Sequence, residues 1–256
     1  MIHPSAQVHP SAQLAPDVEV GPFAIVEAGA KLGAGCRLAA HAIVKARAEL
    51  GVGVRVDHFA VVGGDPQDLS FDPATESGTF VGDRTVIREH VTIHRATKAG
   101  ERTLIGADGL LMAGSHVAHD CVLGAHVILA NGCMLGGHVH VGDKAFVSGG
   151  VAVHQFCRLG QHAITGGCSK IVQDVPPFMI VDGNPAAVRG VNVIGLQRHG
   201  YEEAAIRPLK EAYKSLFMRD QSLAAALEEL APLVPESPAL AHLVGFIQSS
   251  PRGIIR

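Results

Sequence analysis

The sequence predicts a parallel β-helix built from six-residue repeats, followed by a small helical domain. Aliphatic residues recur at every sixth position from Ile2 to Val62, and again from Ile105 to Leu159. A small or β-branched residue, such as Ala24, lies four places after each aliphatic one. Because a period of six fits neither the 3.6-residue nor the 3.5-residue helical period, amphipathic helices do not explain this pattern.

Each six-residue unit predicts a short strand followed by a corner, with the aliphatic and the small residue both facing inward. Three units form an 18-residue triangular coil, and stacked coils pair as parallel strands about 4.8 Å apart. Glycine often follows the aliphatic residue, as at Gly33, Gly106 and Gly160. We expect these glycines to occupy turns that need a positive φ, where glycine has no steric penalty.

The interruptions of the repeat predict the domain organisation. The β-helix is expected over residues 1–191, with loops at 63–80 and 96–104, where the period breaks. Long loops in a regular repeat are more often functional than decorative. From residue 192 to residue 256 the pattern is helical, most clearly at 222–230 and 237–248, and this domain would cover the open strand edge of the last coil.

The composition excludes several classes of protein. The 256 residues are 47% hydrophobic and 18% charged with a net charge of −3, which is not typical of a disordered chain or a nucleic-acid-binding protein. No apolar stretch approaches the roughly 20 residues that span a bilayer, and no export signal is recognisable, so a cytoplasmic location is expected. The five cysteines include no CxxC pair, so neither a disulfide framework nor a zinc ribbon is indicated.

Several of the 15 histidines are predicted to meet at one edge of the prism. Since 18 residues make one coil, His119 lies below Gly137 and His138, which lie below His154 and Gln155. His116 is three residues before His119, so four imidazoles are expected within about 10 Å. Such a cluster could bind Zn²⁺, or one imidazole could act as a general base while the others bind anionic oxygens. Isolated histidines such as those at positions 3, 9 and 41 occupy exposed corners without such a role.

Longer motifs surround these histidines and make a family resemblance specific. They are His116 to Cys121 (HVAHDC), Leu135 to Val139 (LGGHV), Val153 to Cys157 (VHQFC), Gln173 to Pro177 (QDVPP), Ile87 to Arg95 (IREHVTIHR), Pro66 to Leu69 (PQDL) and Gly183 to Ala186 (GNPA). With these motifs the chain resembles the UDP-N-acetylglucosamine 3-O-acyltransferases, acyl-carrier-protein-dependent enzymes that begin lipid A biosynthesis. This family belongs to the hexapeptide-repeat acyltransferases, so the resemblance implies that the β-helix is left-handed.

The resemblance also implies a reaction and its catalytic residues. A 3-hydroxyacyl group would pass from the phosphopantetheine thioester of acyl carrier protein to the sugar 3-hydroxyl, without a bound cofactor. His119 matches the general base, Asp120 the carboxylate that orients it, and the N–H of Gly137 the oxyanion donor. A base is needed because a sugar hydroxyl does not ionise at neutral pH.

Substrate-binding roles follow from the same resemblance, for Gln67, Asp68, His94, His116, His138, His154, Gln155, Asn192, Arg198 and Gly167. Asp68 matches a loop carboxylate that a neighbouring subunit supplies, and Gly167 matches a position where a small residue leaves the acyl groove long. The family is trimeric with active sites between subunits, so we expect a homotrimer. The expected partners are acyl carrier protein and the UDP-sugar.

Two positions depart from the family pattern and bear on the acceptor. Ser70 stands where the family usually has Lys, and Ile194 stands where some members have an acidic nucleotide contact. One interpretation is that the acceptor is the 3-amino analogue of the sugar, which would give an amide. The other is that a different cation, Lys98 or Arg95, compensates. A zinc-dependent β-helical carbonic anhydrase and a purely structural β-helix are further alternatives.

Overall fold

A computed structural model describes all residues from Met1 to Arg256. The protein is a left-handed parallel β-helix of triangular cross-section, completed by a small group of C-terminal helices. Its strands form three sheets, one on each face of the prism, and the helices follow the last coil. The predicted fold class is confirmed.

Each face is a ladder of short strands from successive coils. The first face has nine strands, which are Gln7–Val8, Ile25–Val26, Ile43–Val44, Val61–Gly64, Thr92–His94, His116–Val117, Met134–Leu135, Ala152–Val153 and Lys170–Ile171. The second face has eight, which are Gln13–Leu14, Lys31–Leu32, Ala48–Leu50, Gly78–Val81, Arg102–Ile105, Val122–Leu123, His140–Val141 and Arg158–Leu159. The third face has ten, which are Glu19–Val20, Arg37–Leu38, Arg55–Val56, Val86–Ile87, Leu110–Leu111, Ile128–Leu129, Phe146–Val147, Ile164–Thr165, Met179–Gly183 and Ala186–Val191.

The register of the strands places the predicted residues in one continuous core. Val117 pairs with Leu135, and Leu135 pairs with Val153, each step being 18 residues. These aliphatic side chains are buried, as is the small residue of each unit, such as Ala24. Burial of a Val or Leu side chain stabilises the fold by about 1.5–3 kcal/mol, so the stacked coils are held together along the whole prism.

The glycines that follow the aliphatic residues serve a different purpose from the predicted one. Gly33, Gly106 and Gly160 do not have positive φ, so that expectation is wrong. Positive φ occurs two residues later, for example at Asp108, where φ is 57°. A Cβ added to Gly106 would lie 2.3 Å from the carbonyl oxygen of Gly124 in the next coil. Glycine is therefore required because the backbones of successive coils approach closely at the corners.

Two loops leave the prism at the same edge, where the chain passes from the first face to the second. We call this the first–second edge, and we name the other two edges in the same way. The strand-free segments are 65–77 and 95–101, within or next to the predicted loops at 63–80 and 96–104. His119 also lies between a first-face strand and a second-face strand. Both loops therefore leave the prism at the edge that carries His119.

Four α-helices follow the last coil. They are α1 (Val193–Arg198), α2 (Glu203–Tyr213), α3 (Leu223–Leu230) and α4 (Pro238–Gln248), with a π-helical turn at Lys214–Met218 and a 3₁₀ turn at Ala231–Glu236. The side chains of Ser222 and Ser237 cap α3 and α4, where helices are predicted. Asp174, fully buried, accepts hydrogen bonds from Arg158 and Ser250 and so ties the C-terminal segment to the last coils. No helix has the length and apolar character needed to cross a membrane.

Four of the five cysteines are buried at the small inward positions, as the repeat predicts. They are Cys36, Cys121, Cys133 and Cys157, whereas Cys168 is exposed. Burial raises the pKa of Cys121 and Cys133 to about 12. The buried thiols therefore stay protonated and behave as small apolar side chains.

Candidate active site

His119 and Asp120 form a hydrogen-bonded pair at the first–second edge. Nδ1 of His119 lies 2.7 Å from Oδ2 of Asp120, and the two side chains are only 17% and 13% exposed. Since an ionised carboxylate can only accept hydrogen bonds, Nδ1 carries the proton and Nε2 is the basic nitrogen. Asp120 has a φ of 58°, the corner conformation that recurs in each coil.

The second loop supplies further hydrogen bonds to Asp120. The Thr97 hydroxyl donates to Oδ2 at 2.7 Å, and the Thr97 N–H donates to Oδ1 at 3.1 Å. In the strand after that loop, Oγ1 of Thr103 accepts from the N–H of Asp120 at 2.9 Å. Burial tends to raise the pKa of Asp120, but the hydrogen bonds from His119 and Thr97 outweigh burial and lower it. Asp120 is therefore ionised at neutral pH.

Gly137, one coil above, lies directly against the His119 ring. A Cβ added to Gly137 would lie 2.5 Å from Cε1 and 2.7 Å from Nε2 of that ring, so only glycine fits. The N–H of Gly137 donates to no other group of the chain. A free N–H beside a basic imidazole nitrogen is available to stabilise a developing negative charge.

His138 lies across the His119 ring and also faces Asp120. The two imidazoles make an edge contact with centroids 5.2 Å apart, and His138 stacks on Phe156 at 4.6 Å. Burial is the main reason why the pKa of His138 is lowered. The donor atoms of His119, Asp120 and His138 lie within 4.8 Å of one another. Both Asp120 oxygens accept hydrogen bonds within this group, from Thr97 and His119.

His94 and His116 form the inner side of the cluster. Their rings make an edge contact with centroids 4.7 Å apart, and Nδ1 of His116 lies 2.7 Å from Oγ1 of Thr92. Burial lowers the pKa of His94 to about 4, and its Nδ1 has no hydrogen-bond partner. The pKa of His116 is also lowered, chiefly by burial. His94 is therefore uncharged at neutral pH.

The outer side of the cluster is exposed. His154 and Gln155 lie one coil above His138, and Nδ1 of His154 donates to the Gln155 carbonyl at 3.0 Å. Gln67 and Asp68 lie exposed in the first loop. The Ser70 N–H and hydroxyl donate to Oδ1 of Asp68 at 2.9 and 2.8 Å, and these bonds lower the pKa of Asp68, with a smaller contribution from His119. The residue that departs from the family pattern, Ser70, thus holds the loop carboxylate.

Arg95 holds the first loop in place through hydrogen bonds. The sequence had suggested instead that Arg95 could contact the substrate as a cation. Its side chain is only 8% exposed. It donates to Oδ1 of Asp65 at 2.7 Å, to the Pro73 carbonyl at 2.8 Å and to the Thr75 carbonyl, and it lies over the Phe71 ring. Arg95 cannot replace the missing loop Lys, because its donors are occupied within the protein. Lys98 is exposed and acts electrostatically on His138.

Three predicted binding residues lie at other edges within this chain. Asn192 is buried at the second–third edge, where its side chain donates to the His162 carbonyl at 2.8 Å and accepts from the Gly195 N–H at 3.0 Å as the cap of α1. Arg198, at the end of α1, is exposed. Gly167 lies at the third–first edge. A single chain therefore brings together the histidines but not these three residues.

Sequence reasoning missed the structural role of Thr97. The sequence signals only that a loop begins at residue 96, and nothing in the repeat indicates which loop residue reaches Asp120. Thr97 and Arg95 lie on either side of Ala96 and contact different groups. Thr97 bonds to the His119–Asp120 pair, and Arg95 bonds to the first loop.

A left-handed β-helix with a hydrogen-bonded His–Asp pair beside a glycine corner is the arrangement that the resemblance to the hexapeptide-repeat acyltransferases predicts. Residues 174–255 match a family model described as UDP-N-acetylglucosamine O-acyltransferase, domain 2. The acyl-[acyl-carrier-protein]–UDP-N-acetylglucosamine O-acyltransferase of Burkholderia mallei is 43% identical over 205 residues, which is 78% of each chain. The chain belongs to the UDP-N-acetylglucosamine O-acyltransferase family.

Solved structures of the family match over the whole length. The UDP-N-acetylglucosamine O-acyltransferase of Moraxella catarrhalis is 37% identical with a TM-score of 0.95, covering 100% of this chain and 99% of that one. The UDP-N-acetylglucosamine acyltransferase of Bacteroides fragilis is 36% identical with a TM-score of 0.96, covering 100% of both chains. These relatives favour O-acylation over the N-acylation and zinc-enzyme alternatives.

Proposed function

We propose that this protein transfers a 3-hydroxyacyl group from acyl carrier protein to the 3-hydroxyl of UDP-N-acetylglucosamine. The observation that carries the proposal is the partly buried His119–Asp120 pair with the free N–H of Gly137 beside it. The pair supplies a base for a hydroxyl that does not ionise at neutral pH, and the N–H supplies a donor for an oxyanion.

His119 acts as the general base in this reaction. Its Nε2 takes the proton of the sugar hydroxyl while the oxygen attacks the thioester carbonyl carbon. Asp120 holds the ring in the correct tautomer and stabilises the imidazolium that forms. The carbon–oxygen bond forms, the carbon–sulfur bond breaks, and His119 returns the proton to the departing sulfur, which leaves as the thiol of the phosphopantetheine arm.

The N–H of Gly137 stabilises the tetrahedral intermediate. As the carbonyl oxygen becomes negative, it accepts a hydrogen bond that it does not need in the ground state. Removal of one such donor typically costs about 3–4 kcal/mol of transition-state stabilisation. Because this stabilisation appears only in the transition state, it raises kcat and not merely affinity.

The remaining predicted residues bind the two substrates. Asp68 and Gln67 contact the sugar, while His94, His116, His138, His154 and Gln155 line the path of the sugar nucleotide and the pantetheine. The reaction needs no bound cofactor, because the acyl group arrives on its carrier. In this proposal the enzyme acts in the cytoplasm.

A homotrimer with sites between subunits completes the proposal. Asn192 and Arg198 lie at the second–third edge, away from His119. Packing of the second–third edge of one subunit against the first–second edge of the next would bring Arg198 to the nucleotide, where a guanidinium suits a diphosphate. Mass measurement of the native protein tests this arrangement, and a monomer with full activity would contradict it.

The function is tested by incubating the protein with 3-hydroxyacyl carrier protein and either UDP-N-acetylglucosamine or its 3-amino analogue. Mass spectrometry identifies the products, and His119→Ala serves as the control. We expect an ester of the ordinary sugar that the control does not form. A product from the amino sugar alone would instead assign N-acylation, and no product from either sugar would refute acyl transfer.

A further inference from the structure

The second loop, 95–101, and the strand that follows it both contact the His119–Asp120 pair. Thr97, near its start, donates through its hydroxyl and its N–H to the two oxygens of the Asp120 carboxylate. Thr103, just after its end, accepts from the N–H of the same residue. Without Thr97 the carboxylate of Asp120 would keep only its imidazole partners, so the interruption of the repeat contributes directly to the pair.

The hydroxyl of Thr97 shares one oxygen with the base. Oδ2 of Asp120 accepts both from Thr97 Oγ1 and from His119 Nδ1, each at 2.7 Å. His138 lies farther away, with its Nε2 at 3.5 Å from the same oxygen. A carboxylate can rotate about its χ2 angle, and two imidazoles compete for this oxygen. The Thr97 contacts to both oxygens fix the plane of the carboxylate in the orientation that favours His119.

We propose that Thr97 is a positioning residue that fixes the Asp120 carboxylate for its hydrogen bond with His119. Thr97 itself touches no reacting atom in this proposal and acts through Asp120. The inference rests on the proposed function, because the base is useful only if a proton is transferred at His119. Thr97 then extends the His119–Asp120 pair to a group of three residues, and it comes from a loop and not from the repeat.

The other groups around Asp120 set the direction of the pH effect. The titratable groups that face it are His119, His138 and the thiol of Cys121, which is uncharged because burial raises its pKa to about 12. Lys98 and Asp68 act one step away, on His138 and His119 respectively. A hydrogen bond to the ionised carboxylate lowers its pKa, so loss of the Thr97 hydroxyl raises the pKa of Asp120. The carboxylate is then a stronger acceptor for the imidazolium of His119, so His119 keeps its proton to higher pH and the acid limb of the pH–rate profile moves to higher pH.

The test compares Thr97→Val, Thr97→Ser and Thr103→Val in the purified full-length protein. Thr97→Val keeps the shape and the N–H but loses the hydroxyl, and we expect kcat to fall about tenfold with KM for both substrates within twofold. The acid limb of kcat/KM should move to higher pH. Thr97→Ser should restore both the rate and the profile.

Thr103→Val is the matched control, because it removes a contact to the backbone of Asp120 and not to its carboxylate. We expect it to lower the melting temperature and leave the acid limb in place. A Thr97→Val enzyme with the wild-type rate and profile would overturn the proposal, as would an equal shift of the acid limb in Thr103→Val. If the wild-type protein itself forms no product, the proposed function fails, which is a distinct outcome.

Discussion

Two edges of the prism stack aromatic rings in the same way and differ in what surrounds the rings. At the third–first edge, Phe23, His41, Phe59 and His90 stack with centroids 4.9–5.2 Å apart, each at positive φ. At the first–second edge, His138 stacks on Phe156 in the same corner conformation. The corner conformation therefore stacks the rings of successive coils where both corners carry a histidine or a phenylalanine.

The difference lies in the hydrogen-bond partners that the loops add. The imidazoles of His41 and His90 have no hydrogen-bond partner in the chain, and no loop leaves the prism at their edge. At the first–second edge, Asp120 and Thr97 fix the His119 ring and Arg95 fixes the neighbouring loop. A stack of histidines is thus a product of the fold, and a site requires groups that break the repeat.

The largest expected effect separates the two edges directly. His119→Ala removes the base, and we expect kcat to fall about 10³-fold. The matched variant His41→Ala removes a stacked ring at the other edge and should leave kcat within twofold. Both are measured by product formation at saturating substrate. Comparable losses in the two variants would show that ring stacking, not base catalysis, explains the dependence.

Gly137→Ala tests whether kcat depends on the close approach of Gly137 to the His119 ring. The added Cβ would lie 2.5 Å from the His119 ring, so the ring must move. Displacement of a catalytic group by about 1 Å can cost roughly a hundredfold, and we expect a loss of kcat of that order. Gly190→Ala is the control, because no atom lies within 4 Å of its added Cβ. A fully active Gly137→Ala enzyme would contradict the close approach.

Arg95→Lys sharpens the comparison at the loop. Lysine keeps the charge but cannot reproduce the planar set of donors that reaches Asp65, Pro73 and Thr75. We expect KM for the sugar nucleotide to rise about tenfold, with kcat changed less than twofold, because Asp68 is then less well positioned. Arg88→Lys, a change at an exposed ion pair, should have no effect. An unchanged KM in Arg95→Lys would contradict the role of Arg95 in positioning the loop carboxylate for the sugar.

The smallest effect on catalysis is expected at the second–third edge, where His162 lies near Phe178, Tyr201 and His199. Burial lowers the pKa of His162 from 6.5 to about 4. As the pH falls, this histidine is therefore protonated in the unfolded chain at a higher pH than in the folded protein. The free energy of unfolding therefore decreases between pH 6.5 and pH 4, by about 3 kcal/mol for this residue. His162→Phe should flatten that part of the stability curve in urea titrations. An unchanged slope would mean that the ring is hydrated in the folded state.

The sequence could predict whatever follows from the repeat. Core positions such as Val117, and the stacking of His119, Gly137 and His154 at one edge, require only steps of six and eighteen residues. The same arithmetic separates Gly167 from that edge. The role of the glycines was misjudged, because a spacing shows where a small residue is needed but not whether φ or a neighbouring coil requires it.

Contacts made by the loops could not be predicted in this way. Arg95 reaches carbonyls of residues 73 and 75, and Thr97 reaches residue 120, at separations unrelated to the period. These partners depend on the path of irregular backbone, which no repeat defines. The catalytic and binding roles of the site residues stay predictions until the variants above are measured.

Because four of the five cysteines are buried, a thiol-specific label can be attached at a single native position. Cys168 is the one exposed thiol, at a corner beside Gly167, so a maleimide or a spin label should react there first. Labelling would need no engineered cysteine and no removal of native ones. A probe at this position would report on the region where the acyl chain is expected, and its response to donor and acceptor could be followed separately in real time.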